Sequence, residues 1–549
     1  MSKLFHREFQ PVPVSELISY IEGESEEFLK QIGAQIYANT DELYLEKQRQ
    51  RILETLRLHA KRVGNDAPTV LLRAPGRLNA FLEYLDMCAG DHMSTTIDGD
   101  TPMALSFRKD DILSLFNVNP LFHHSEISIS NEFNIFCSAP FAERASLGMK
   151  ENWDNYSLLF PYWRRKQADW VNYVLSPYMR VLFDNPKLAL KGADMTFGPS
   201  TTPFRAGVSS SSSIVVLAFL AMYFSNKNIL PTWTENEVCR FLGESEWYVG
   251  THGGANDQMT ILFNPINSVS YNRHSRAELG SSRLPFLEGV HVVLANSLWE
   301  VNKSATGNQS FNMRKGWIKM AEDIAEIVIT FAITIINENK NNENWLGDMI
   351  NKIFGFYPEP YPFQLENNSE LWKKIRKNFN RLGSLHEDIL KVPNSVVEEL
   401  ISLLPVKIRP DTASKLLEKT EEAVIQEYTS PKRAIGGYHT RTTARFFHKQ
   451  NIIGKRLEQI FLEADSKIKT GGLKSDSAEY DEYRHEVGNL VDKLQDALSF
   501  DFRVSVPQID LLLSVAKRGP GYLGGKLTGA GKGGCVSLLV RAEDSKSMC

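Results

Sequence analysis

The chain is short of cysteine, of long apolar runs and of any charge imbalance, and each shortage removes a class of protein. Its five cysteines (Cys88, Cys137, Cys239, Cys535, Cys549) are scattered over 549 residues and form no CxxC pair. That argues against a disulfide framework or a zinc site and fits a reducing, cytoplasmic compartment. The most apolar stretch, residues 327–336 (IVITFAITII), is too short to span a bilayer and predicts a buried helix. The first residues, MSKLFHREFQPVP, hold no apolar core of a signal peptide. Lys and Arg number 62 against 66 Asp and Glu, a net charge of −4, so nothing draws the whole molecule to nucleic acid or to an anionic membrane. No Gly-Lys-Ser/Thr follows a glycine loop at P-loop spacing, and no internal repeat is evident.

What remains is an ordinary globular composition, 42% hydrophobic and 23% charged, in a chain long enough for two domains. Three segments rich in glycine or serine stand out: residues 73–86 (RAPGRLNAFLEYLD), 203–213 (PFRAGVSSSSS) and 526–535 (KLTGAGKGGC). A serine run by itself reads as a solvated linker. Here it runs without a polar break into residues 214–222 (IVVLAFLAM), so it reads as a loop that opens a helix. The free N–H groups of such a loop and helix start form an anion site, and the hydroxyls of Ser209 to Ser213 add donors and a possible oxygen ligand for Mg²⁺. The third segment precedes a strand-like run, 536–540 (VSLLV), and glycine at that density lets backbone approach backbone or ligand closely.

The three segments, in this order, resemble the three motifs of the GHMP small-molecule kinases, and specifically the galactokinase and N-acetylgalactosamine kinase branch. Residues 245–258 (SEWYVGTHGGANDQ) resemble the segment that carries the family's catalytic aspartate, and 170–174, 291–297, 311–314 and 504–510 match further strings. The resemblance implies an α+β, two-domain GHMP kinase fold with the active site in the inter-domain cleft. It also implies that ATP and Mg²⁺ are used to phosphorylate a monosaccharide hydroxyl, the anomeric one being expected. In that reading Asp257 is the catalytic base and Arg77 its cationic neighbour. Gly207, Val208, Ser209, Ser210, Ser211 and Ser212 bind the ATP phosphates. Ser211 and Glu246 ligate the metal, with Glu244 left open as an alternative to Glu246. Glu83, Tyr84, Asp86 and Gly254 bind the sugar.

Several positions depart from the family. Tyr84 stands where galactokinases carry a sugar-contacting histidine, Phe311 replaces a tyrosine, Asn256 replaces a methionine, and Lys532 replaces an aromatic or glycine. Changed polar contacts in a sugar pocket alter specificity steeply, so galactose, N-acetylgalactosamine and related sugars stay open. A catalytically silent sugar and nucleotide sensor is the rival of a different class. Lys532 reads either as a solvated lysine or as an ammonium within reach of nucleotide phosphate.

The expected domains are a helical extension over 1–66, an ATP-binding domain over 67–290 and a second domain over 291–549 with an insertion near 337–405. Helices are expected over 16–32, 41–61, 235–250, 392–429 and 479–498. Strands are expected over 71–74 (broken at Pro75-Gly76), 112–118 and 126–137, and surface loops over 337–375.

Overall fold

The computed structural model describes residues 10–138, 153, 169–203, 206–250, 253–265, 267–273, 280–299, 308–338, 344–358, 363–428 and 436–548. The chain divides into two compact units. Unit 1 is Met1–Leu78 with Thr95–Ser268, and unit 2 is Asn79–Ser94 with Val269–Cys549.

Unit 1 is built on a six-strand path. In chain order its strands are β1 (Val12–Pro13), β2 (Pro68–Leu78), β3 (His92–Phe107, in this unit from Thr95), β4 (Ile112–Asn117), β5 (Ser125–Ser128) and β6 (Ala193–Phe197). Their order across the sheet is β1-β2-β3-β6-β4-β5, antiparallel except for the β4–β6 pair. The N-terminal helices belong to this unit. Val14–Gly23 and Ser25–Ile32 are separated at Glu24, and Glu42–Val63 (α1) is capped by Asp41, whose carboxylate accepts from the Tyr44 N–H. Their apolar faces pack on Leu71 and Ala104 of the sheet. Helix α1 lies so near the end of β6 that a Cβ on Gly198 would sit 1.8 Å from Thr55 Oγ1. No side chain fits there.

The serine run opens α2 (Ser210–Asn226). Residues 215–222 of this helix are all buried, as expected of a helix apolar all round. It packs on the helix Val171–Asp184 and on β2 in the unit's main core. A capping box between Thr234 and Glu237 starts α3 (Glu235–Ser245), which ends in a single 3₁₀ turn, Glu246–Val249. A short helix, α4 (Asn256–Phe263), follows the glycine pair.

Unit 2 holds a three-stranded antiparallel sheet, β8-β9-β7, formed by β7 (Val290–Asn296), β8 (Tyr522–Leu527) and β9 (Cys535–Arg541). Helix α7 (Ala478–Asp496) packs on the sheet, α6 (Thr440–Lys469) packs on α7, and α5 (Asn308–Asn337) packs on α6. Close approach explains the glycines of β8: a Cβ on Gly524 would lie 2.1 Å from Gly488 O of α7.

Four elements differ from expectation. The first strand runs through Pro75-Gly76 to Leu78, because a bulge between Pro75 and Arg77 absorbs the proline within the β2–β3 ladder. Residues 126–137 are a short strand followed by the helix Ile129–Ser138, since the alternation that marks a strand stops at Ser128. The stretch 337–375 contains the helices Trp345–Phe354 and, from Ser369, Ser369–Asn378, whose apolar stripes the flanking asparagines obscured. The apolar run 327–336 is helical but only partly buried: Val328, Ile329 and Ala332 face the core, whereas Phe331 is exposed.

Candidate active site

The centre of unit 1 is a set of backbone donors with two carboxylates beside them. Gly207 (φ 80°) and Ser209 (φ 57°) are both left-handed, and this turns the chain abruptly into α2. Ser213 N–H makes the first bond inside the helix, to Ser209 O. The N–H groups of Ser210, Ser211 and Ser212 therefore lack a partner within the helix, which is the usual state of a helix start and the basis of anion binding there. The end of β2 holds this loop in place. Arg77 N–H donates to Val208 O at 3.1 Å, and Ser213 Oγ donates to Pro75 O at 2.7 Å. Gly76 lies beneath, where a Cβ would meet Val208 O at 3.0 Å.

Asp257, in the first turn of α4, joins the same group. Arg77 is 7% exposed, and its Nε donates to Asp257 Oδ1 at 2.5 Å, with an NH2 contact to the same oxygen. The second carboxylate oxygen accepts from Ser209 Oγ and, at 3.4 Å, from Ser212 Oγ. About a quarter of the Asp257 side chain (23%) remains exposed, so its carboxylate is open on one side.

Glu246 stands next to this pair. It accepts from Ser212 Oγ at 3.0 Å and from Gln258 Nε2 at 2.6 Å. Glu244 lies at the C-terminal end of α3 and turns elsewhere: its carboxylate pairs with Arg180 at 2.8 Å. Of the two acidic candidates, Glu246 is the one gathered with the serines. The hydroxyl that touches both carboxylates belongs to Ser212, one residue after Ser211, which is half-buried in the first turn of α2. Gly254 packs against α3, where a Cβ on Gly243 would meet its carbonyl at 3.1 Å. Phe204, Arg205, Thr251, His252 and the side chain of Phe311 lie outside the described residues.

The remaining site residues from the first motif belong to unit 2. Glu83 is 1% exposed, and donors surround its carboxylate. Lys526 Nζ at 2.7 Å and Gly529 N–H at 3.2 Å reach Oε1, while Asn79 Nδ2 reaches Oε2 at 2.6 Å. The Gln450 side-chain amide closes on the Glu83 backbone, bonding both its N–H and its carbonyl at 2.7 Å. Glu83 thus ties the first motif to the third. Tyr84 (φ 65°) donates its hydroxyl to Ala530 O at 2.6 Å and sets its ring edge-on to Phe502, with centroids 4.9 Å apart. The Tyr84 hydroxyl is thus engaged with the third motif. Asp86 is half-buried, in the 3₁₀ turn Leu85–Cys88. Lys532 (φ 63°) donates its ammonium to Arg503 O at 3.0 Å.

Sequence reasoning did not find Ser212 as the bridging hydroxyl, nor Gln258, Lys526 and Gln450. Gln258 could have been suspected from its place beside Asp257. Lys526 and Gln450 carry no local signal, since they meet Glu83 across 443 and 367 residues.

Residues 484–547 match the family model described as GHMP kinases C terminal. The chain is similar over 525 residues, at 25% identity, to a galactokinase of Dictyostelium discoideum, covering 92% of this chain and 88% of that one. A galactokinase of Saccharomyces cerevisiae is 22% identical over 491 residues, covering 86% and 82%. Among solved structures, the crystal structure of Lactococcus lactis galactokinase complexed with galactose shares the fold, with a TM-score of 0.55 and 16% identity over 90% of each chain. The α+β units share the fold of the GHMP kinases, and the loop at the head of α2 fits the phosphate loop of such a kinase. The chain fits the galactokinase branch of those kinases, as an ATP-dependent sugar kinase.

Proposed function

We propose that this kinase transfers the γ-phosphoryl group of ATP to the anomeric hydroxyl of galactose, N-acetylgalactosamine or a closely related monosaccharide. The observation that carries the reading is Asp257, a carboxylate held on one oxygen by Arg77 and on the other by Ser209, at the helix start where phosphate binds. Phosphoryl transfer requires alignment of the acceptor, charge stabilisation and a place for one proton. The N–H groups of residues 207–212 receive the phosphates. Arg77 stabilises the charge that develops on the transferring group, and Asp257 orients the sugar hydroxyl and takes its proton. Tyr84 and Asp86 lie in the first-motif segment proposed to bind the sugar, and Gly254, in unit 1, is a further proposed sugar contact. Glu83 serves that segment by fixing it to Lys526 and Gly529.

Mg²⁺ fits the oxygen set near α2. Among the described residues no three His, Cys, Asp or Glu side chains gather into a metal cluster. Glu246 and a serine hydroxyl, Ser211 or the bridging Ser212, offer hard oxygens of the kind Mg²⁺ takes alongside water and nucleotide phosphate. When bound, the ion would neutralise phosphate charge. Cys88, Cys137, Cys239 and Cys535 are free thiols, in keeping with a cytoplasmic enzyme. Purified protein incubated with ATP and a panel of monosaccharides tests the function. Sugar-dependent release of ADP is expected for at least one hexose, and sugar-dependent nucleotide binding without turnover for every sugar would replace the reading with that of a sensor.

A further inference from the structure

Unit 2 gathers basic side chains that the proposed reaction does not use. Arg314, on α5, is 4% exposed. Its Nε donates to Phe502 O at 2.9 Å and one NH2 to Arg503 O at 2.7 Å, while NH1 is buried and has no partner. The guanidinium lies 3.8 Å from the centre of the Trp317 ring, and the His439 ring centre lies 4.5 Å from it. Trp317 Nε1 and His439 Nδ1 are likewise buried without partners. Lys532 reaches the same place from the third motif. Its Nζ bonds Arg503 O at 3.0 Å and its N–H bonds Val504 O at 2.8 Å. Lys407 Nζ comes within 2.5 Å of where a Cβ on Gly436 would stand, three residues before His439.

Two further features mark the cluster. Arg503 (φ 60°) and Lys532 (φ 63°) are both left-handed, and Lys532 is a side chain kept inside a run of glycines, so the backbone carries strain that glycine would relieve. The cations also act on one another. Burial pushes His439 down to about 4, with Arg503, Lys407 and Arg314 adding to the effect. Burial, opposed by Tyr84 and reinforced by Arg503, brings Arg314 down to about 10, and burial with Arg314 lowers Lys532. In a protein of net charge −4, the groups acting on these three are basic side chains and Tyr84.

We infer that Arg314 and Lys532, with His439, Lys407 and the exposed Arg503 at the rim, form a binding site for an oxyanion, the phosphate or carboxylate of a small molecule. An oxyanion supplies an acceptor for the unpartnered guanidinium N–H and separates the crowded cations, and a planar guanidinium suits either group. The site adjoins the first motif, because Phe502, which accepts from Arg314, packs on Tyr84, and Tyr84 bonds Ala530, two residues before Lys532. The anion is therefore one carried by a sugar, as in a hexuronate or hexose phosphate. That last step alone rests on the sugar-kinase reading.

The test titrates the full-length protein with inorganic phosphate by calorimetry, with and without a non-hydrolysable ATP analogue to fill the loop at α2. Saturable phosphate binding that survives the analogue is expected, weakened by roughly tenfold or more in Arg503→Met and again in Lys532→Met. Equal affinity in both variants and the parent, or no saturable binding, overturns the site. A hexuronate that binds more tightly than its neutral hexose, with the advantage lost in the variants, assigns the anion to the sugar. A hexuronate no tighter than the hexose overturns that assignment. Turnover of neutral hexoses is measured in parallel, so its absence beside intact phosphate binding counts against the kinase reading only.

Discussion

Replacing Asp257 by Asn keeps the side chain's shape and removes the charge that Arg77 and Ser209 hold between them. Two effects follow, and they can be separated. The first is structural: Arg77 is 7% exposed and loses its ion partner at 2.5 Å. Stranding one member of a buried pair costs about 3–5 kcal/mol, and the 23% exposure of the Asp257 side chain puts this case at the lower end through solvent screening. The second effect is chemical. The amide cannot take the sugar hydroxyl's proton, a loss of about 10² to 10⁴ in kcat for a general base, or about 3–5 kcal/mol of barrier. Melting temperature measures the first effect, and kcat at saturating ATP and sugar, with ATP affinity from calorimetry, measures the second. The expected variant is folded, binds ATP within a few fold of the parent and turns over at least about 10²-fold more slowly. A folded Asp257→Asn enzyme with parental kcat would remove Asp257 from the mechanism.

Other expectations follow from the same geometry. Glu246→Gln and Ser212→Ala should each raise the Mg²⁺ concentration needed for half-maximal rate, while Glu244→Gln, which only loses Arg180, should not. A shift confined to Glu244→Gln would move the metal to the other acid. Arg51→Met removes the bonds from α1 to Pro199 O and Asp100 and leaves Asp100, 1% exposed, with Arg73 as its remaining basic partner. A fall in melting temperature of roughly 6 °C or more is expected, and an unchanged value would show the N-terminal helices to be dispensable for unit 1. His59 is buried between Thr196 and Ser106 and is brought down to about 4, mainly by burial and then by Arg62. The unfolded chain takes up this proton near pH 6.5 and the folded one only near 4, so stability should fall as pH drops through that window, by up to about 3 kcal/mol from this residue. The acid limb of melting temperature against pH should flatten in His59→Gln, and an unaltered slope would refute the assignment.

What could be read from the sequence was local. The serine run that opens α2 and the helical periodicity of α3 each announce themselves within a few residues, because helix chemistry acts at that range. The Arg77–Asp257 pair spans 180 residues and was legible only because both sit in family motifs. Glu83 shows the limit. Its position implied a sugar contact, yet its surroundings, Lys526, Gly529 and Asn79, are set by tertiary packing that no local pattern encodes. The same holds for the fold. Pro75-Gly76 reads as a strand break, but the ladder to β3 accommodates it with a bulge. The helices before residue 66 read as a helical extension with no assigned role, and Arg51, His59 and Arg62 fasten them to the sheet of unit 1 through partners 47 to 148 residues away.

The central claim is that the γ-phosphoryl group of ATP passes to the anomeric oxygen of a hexose. Phosphorus and carbon NMR of the product formed from ATP and each sugar of the panel tests it most directly. The account predicts a phosphomonoester whose phosphorus couples to the anomeric carbon and proton, formed in step with ADP. A phosphate on any other sugar oxygen, or ATP left intact with every sugar, would contradict it.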